Sequence, residues 1–179
     1  MTVQTNGLYV GQAVPAVVRA VDGFAHDTTT TQYTAGDVVS NGAVTNLMRF
    51  PLARQAGGAG YIVKGQLETN SKTFLSQMRL YLFMVPAGVP GVGITVAADN
   101  VAATLAYADR GQRVGYLDFP LLATGAGSGS TTSYALWTGN LEFHCNPTDD
   151  TLYGYLVDNT GSTPVSGQLF SVKLSADVY

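Results

Sequence analysis

Charge is what this chain has least of: Asp, Glu, Lys and Arg make up 12% of its 179 residues, about half the fraction usual in soluble proteins. A surface so poor in charge points to cover by another protein subunit, because interface centres are depleted in charge and enriched in aromatics. The 10 tyrosines fit that reading; the plainer alternative is a Thr-, Ser- and Asn-rich surface on a monomer. The charges present sum to −3, with a pI near 5.1, and leave no basic stripe of the kind that phosphate-backbone binding requires. No direct nucleic-acid partner is expected.

Cysteine is nearly absent. Cys145 stands alone, so an intrachain disulfide framework is excluded. The opening "MTVQTNGLYVGQAVPAVVRAVDG" carries no basic leader, and no apolar run reaches the length of a signal segment or membrane span. Asn146 is followed by Pro147, which blocks glycosylation. These features suit a protein made and kept in a reducing cytoplasm, with no membrane partner.

Histidine is scarce as well. His26 and His144 alone cannot assemble the several-histidine site of a metal-binding cupin, so no metal and no cofactor is expected. His144 and Cys145 are neighbours in a strand pattern, where adjacent side chains point to opposite faces and cannot act as base and thiol; Cys145 reads as a core residue. Glu68 and Glu142, the only two glutamates, lie on outward strand faces and do not form a glycosidase pair. The aspartates stand singly near turns except Asp149 and Asp150, where a calcium site would need oxygen ligands from other loops. No catalytic residue is assigned, and the chain is expected not to be an enzyme.

What is present in quantity is period-two alternation punctuated by Gly, Pro and Asn clusters. "GYIVKGQLET" (60–69) places Tyr61, Val63 and Leu67 on one face and Lys64, Gln66 and Glu68 on the other. "SYALWTGNLEFHC" (133–145) aligns Ala135, Trp137, Leu141, Phe143 and Cys145, the clearest core strand. Further strands are expected over 15–23, 43–50, 78–85, 113–119, 151–157 and 167–175, with the strand at 78–85, apolar on both faces except for Arg79, either central or covered by a neighbouring subunit. Tyr153 and Tyr155 share a face in "TLYGYLV", either as a contact surface or as packing on a strand covered twice. One short helix is expected at most, over 98–111, capped by Asp99 or Asn100 and ended by Gly111, with a structured loop as the alternative. Loops are read at 26–31, 85–93 and 124–133.

"RQAGGAG" (54–60) has the glycines of a phosphate cradle but runs directly into the strand of Tyr61 to Val63. Without a helix N-terminus behind it, the dipole and donor array are missing. It reads as a bend, with Arg54 at its edge. About eight or nine short strands in one domain predict an all-β, jelly-roll-like sandwich over 13–179, preceded by an N-terminal arm over 1–12. In that arm Leu8, Tyr9 and Val10 form an apolar run; the arm either orders on a neighbouring subunit or is a frayed terminus.

The segment "YTAGDVVSNGAVTNLMRFPLARQAGGAGYIVKGQLE", followed by "MRLYLFMVPAGVP" and "AADNVAATLAYADRGQRVGYLDF", resembles small virion structural proteins of tailed bacteriophages. The residues concerned are Tyr33, Gly36, Asp37 and Val38, then Phe50 and Arg54, Gly57 to Gly60, Arg79 to Phe83, and Ala98 to Asn100. The resemblance spans residues 33–120. It implies a jelly-roll decoration or cement protein on the capsid exterior, a homo-oligomer with a trimer favoured, bound to the major capsid protein and without catalysis. The contact residues expected on this reading are Leu8, Tyr9, Val10, Arg54, Tyr153 and Tyr155. A receptor- or carbohydrate-binding jelly-roll module of a fibre or tail is the alternative.

Overall fold

Alternating residues become strands where one face can be buried and the other left to water. The computed structural model forms ten strands among the residues it describes, which are 16–26, 30–42, 47–87, 93–125 and 131–179. In chain order they are β1 (Ala16–Ala25), β2 (Asp37–Val39), β3 (Met48–Pro51), β4 (Ala59–Thr69), β5 (Met78–Phe83), β6 (Arg113–Phe119), β7 (Ala123–Thr124), β8 (Ser133–His144), β9 (Thr151–Asp158) and β10 (Leu169–Val178). One sheet runs β1-β10-β4-β8-β7 and the other β2-β9-β5-β6, with β3 also on β9. All strand pairings are antiparallel.

β2 and β3 pair with successive stretches of β9 and act as one interrupted strand. With the two-residue β7 set aside, each sheet then has four strands, and the first strand of the chain lies beside the last. This is the jelly-roll form of the β-sandwich. The sheets meet at β1 and β3, where Asp22 Oδ2 accepts the Arg49 N–H at 2.6 Å, and at β6 and β8, where Leu141 packs on Gly115.

Between the sheets, Phe50, Phe74, Phe119, Phe143 and Phe170 are fully buried with Leu67, Leu80, Leu82 and Ile62. Each such side chain contributes about 1.5–3 kcal/mol on leaving water. Phe74 meets Phe170 edge-on at 5.2 Å, and Phe24 stacks on it at 5.4 Å. Phe119 crosses from the second sheet onto Gly65, where a Cβ would come within 3.1 Å of the ring.

Two stretches depart from simple periodicity for identifiable reasons. In β4, Ile62 and Leu67 are buried along with Gly60, Gly65 and Thr69, while Tyr61 and Val63 are half-buried. The register with β10 and β8 shifts between Ile62 and Lys64. This bulge at Val63 breaks the simple alternation. Of the two readings of 98–111, the structured loop is the one observed, leading into a 3₁₀ turn at Tyr107–Gln112. Upstream, the backbone pairs with β2 instead: Asn100 N–H donates to Val38 O, Val38 N–H to Val101 O and Ala103 N–H to Gly36 O, at 2.8–2.9 Å. Asp99 does not cap a helix either. Its Oδ1 accepts the Ser40 N–H at 2.7 Å and the Tyr33 hydroxyl at 3.0 Å.

At the end of β9, Asp158 is completely buried and organises the turn that follows. Oδ1 accepts the Ser76 hydroxyl and the N–H groups of Thr160 and Gly161 at 2.6, 2.8 and 2.9 Å. Oδ2 accepts the Ser162 N–H at 2.9 Å and the Ser162 hydroxyl. Burial alone would push this carboxyl up, but the donors from Ser162, Ser76, Thr160 and Gly161 outweigh it and hold the group below its ordinary value.

Candidate interaction surface

The two sheets differ in what covers their outer faces. Beyond β9 and β5 lies a second apolar cluster, in which Val38, Phe83, Tyr155 and Val157 pack with Val85 and Ile94, supported by Val96, Ala97 and Ala103. The described parts of the segment between β5 and β6 thus lie over that sheet, and every residue of β9 is buried. The β1-β10-β4-β8 sheet carries no such layer among the described residues. Val17 and Val21 on its outer face are 62% and 58% exposed.

Two expected contact residues on β9 are buried, Tyr155 beneath this cover and Tyr153 beside Asp149 and Arg49. Tyr153 and Tyr155 retain only 7% and 4% exposure, so they lie inside the chain rather than on its surface. Tyr155 stacks on Phe83 at 5.7 Å and meets Tyr81 at 5.5 Å, and burial pushes its hydroxyl up to about 12. Tyr153 donates to Asp149 Oδ2 at 2.6 Å with the Arg49 guanidinium over its ring. Leu8, Tyr9 and Val10 lie outside the described residues.

Arg54 is exposed in the bend between β3 and β4, at one end of the sandwich. The glycine amides of that bend are occupied by backbone carbonyls: Gly57 N–H donates to Asn146 O and Asp149 O, and Gly58 N–H to Gln55 O. Gly57 has φ of +71°, a left-handed conformation that favours glycine. These donors therefore point into the protein. Cys145 is buried in the main core, its thiol pushed up to about 12 by desolvation and by Asp149 and Asp150, while His144 faces solvent.

The antiparallel register aligns the outer residues of the bare sheet in rows across β1, β10, β4 and β8. Val17, Asp177, Tyr61 and Glu142 form the first row, and Arg19, Ser175, Lys64 and Thr138 the second. Val21, Lys173, Gln66 and Leu136 form the third, and Gly23, Ser171, Glu68 and Tyr134 the fourth. Arg19, Lys64 and Lys173 thus converge on a shallow depression of about 160 Å³ that Gln66 and Ser175 complete. An adjoining hollow of about 190 Å³ is lined by Val21, Gln66, Glu68, Ser171 and Lys173. Carboxylates at Asp177, Glu142 and Glu68 flank the cations along the strands. Sequence reading missed this set because its members are 45 and 109 residues apart, and only the register joins them.

A second cluster also emerges only in three dimensions. Buried His26 places Nε2 3.3 Å from Asp99 Oδ2 and against the Tyr33 hydroxyl. This arrangement ties the end of β1 to the loop before β2 and to the segment after Val96.

The chain matches no model of a known protein family and no curated protein.

Proposed function

We propose that the chain is a bacteriophage virion structural protein, a capsid decoration protein that ties neighbouring shell subunits together. The observation that carries the reading is the asymmetry of the sandwich: one outer face is covered by the chain's own segment, while the other presents apolar and cationic side chains to solvent. An uncovered sheet face suits docking on an assembled surface. Repetition in a homo-oligomer, with a trimer favoured, would add weak contacts through effective concentration. The resemblance over residues 33–120 gives this partner its identity, the major capsid protein.

The test is an image of the assembled particle at side-chain resolution. Density for this chain at three-fold or quasi-three-fold positions of the capsid exterior upholds the reading. Placement at the tail alone, or absence from particles, defeats it.

A second reading, a receptor- or carbohydrate-binding module, is favoured by Tyr134, 41% exposed on the bare face and directly opposite Glu68. An aromatic plane beside a carboxylate can stack and hydrogen-bond a sugar. Glycan-array binding that Tyr134→Ala abolishes would move the assignment to this class.

A further inference from the structure

We infer that the Arg19, Lys64 and Lys173 triangle is the docking site for a carboxylate cluster on the partner protein's surface. The inference rests on the capsid-decoration reading and adds the site and its chemistry. All three cations are exposed, and none forms an ion pair with another described residue. Strand spacing of about 4.8 Å and a two-residue rise of about 7 Å put their Cα atoms within about 10 Å of one another. At physiological salt the screening length is about 8 Å, so a carboxylate seated between the three is within reach of all of them.

That concentration of charge is unusual in this chain, where nine cations face twelve carboxylates overall. An incoming carboxylate cluster that enters the depression meets all three cations directly, and the Arg19 guanidinium can hold one carboxylate through two parallel hydrogen bonds. Val17 and Val21 on β1 and Leu136 on β8 border the triangle and supply apolar contact. The occupant is limited in extent by Asp177, Glu142 and Glu68, which flank the cations in the neighbouring rows. A continuous polyanion such as duplex DNA or an anionic membrane would run over those carboxylates. A second copy docked triangle to triangle would oppose cation with cation. A compact acidic patch on another protein meets neither obstacle.

The experiment sediments three forms of the full chain with DNA-emptied shells of the parent particle, over a range of salt concentrations. They are the native chain, the variant Arg19→Gln/Lys64→Gln/Lys173→Gln, and the control Lys72→Gln/Arg110→Gln, which removes two exposed cations elsewhere. Matched circular dichroism and thermal midpoints establish that all three fold. The expected result is native binding that weakens with salt, a loss of at least about thirty-fold in the triple variant with a shallower salt dependence, and a control within about three-fold of native. Equal binding by native and triple variant overturns the triangle as the site while leaving the capsid reading in place. No shell binding by the native chain overturns the capsid reading and the choice of occupant with it. Tighter binding to duplex DNA or to phosphatidylserine vesicles than to shells overturns the carboxylate assignment.

Discussion

Replacing Asp158 by Asn removes one negative charge and one acceptor from a fully buried turn. In the better amide orientation, the remaining oxygen keeps the Ser76 hydroxyl and the Thr160 and Gly161 N–H groups. The new NH₂ then faces the Ser162 N–H, donor against donor, although the Ser162 hydroxyl can rotate to accept. One buried N–H left unsatisfied costs about 1–3 kcal/mol. The retained bonds also weaken, because charge-assisted hydrogen bonds are about twice as strong as neutral ones. Together these predict a loss of about 3 kcal/mol, or about 6–12 °C in Tm for a domain of this size. Asp158→Ala, which strands every donor, should lose more. The pH dependence has a definite sign. Because the folded carboxyl titrates below its ordinary 3.8, its contribution is fully present above that value and is lost as pH falls through the lower folded one. Urea denaturation of native and Asp158→Asn protein between pH 2.5 and 7 measures the gap. A gap below about 1 kcal/mol at pH 7, or one unchanged at the acid end, would refute the account.

Three further outcomes follow from the packing. Gly60→Ala would put a Cβ 2.3 Å from Asp177 O and 3.1 Å from the Phe143 ring; separation of β4 from β10 should cost about 2–4 kcal/mol in denaturant titration. Cys145, buried and with its thiol near 12, should resist a thiol reagent at pH 8 in the native protein and react fully in urea; prompt native labelling would contradict its placement. Tyr155→Ala should destabilise by about 3–5 kcal/mol, and hydrogen exchange should show increased opening of the backbone around Val85 and Ile94, which pack on that ring.

The strands were legible in the sequence because the pattern of Phe143, Leu141, Trp137 and Ala135 survives a two-sheet fold unchanged, as does the doubly apolar run from Met78. Val63 was not legible, because a bulge changes facing without changing composition. The segment from Ala98 was ambiguous for a related reason: its cap-like Asp99 has long-range partners at Tyr33 and Ser40, and local propensity contains no information about them. The same gap explains Tyr153 and Tyr155. An aromatic pair on a strand face looks alike whether water or another segment lies over it, and only the observed cover separates the cases. The candidate site was hidden most completely, since Arg19, Lys64 and Lys173 are unremarkable singly and become a site through the β1-β10-β4 register.

The neighbouring of first and last strands also sets when this protein can come into being. β10 lies between β1 and β4, and β9 between β2 and β5, so a nascent chain that has not yet reached Thr151 has neither sheet whole. β1 can wait on the ribosome but cannot pair, and its exposed edge needs protection until Leu169–Val178 emerges. A surface that exists only once β10 has emerged cannot engage a partner earlier, so translation of Leu169–Val178 times the availability of the Arg19 face.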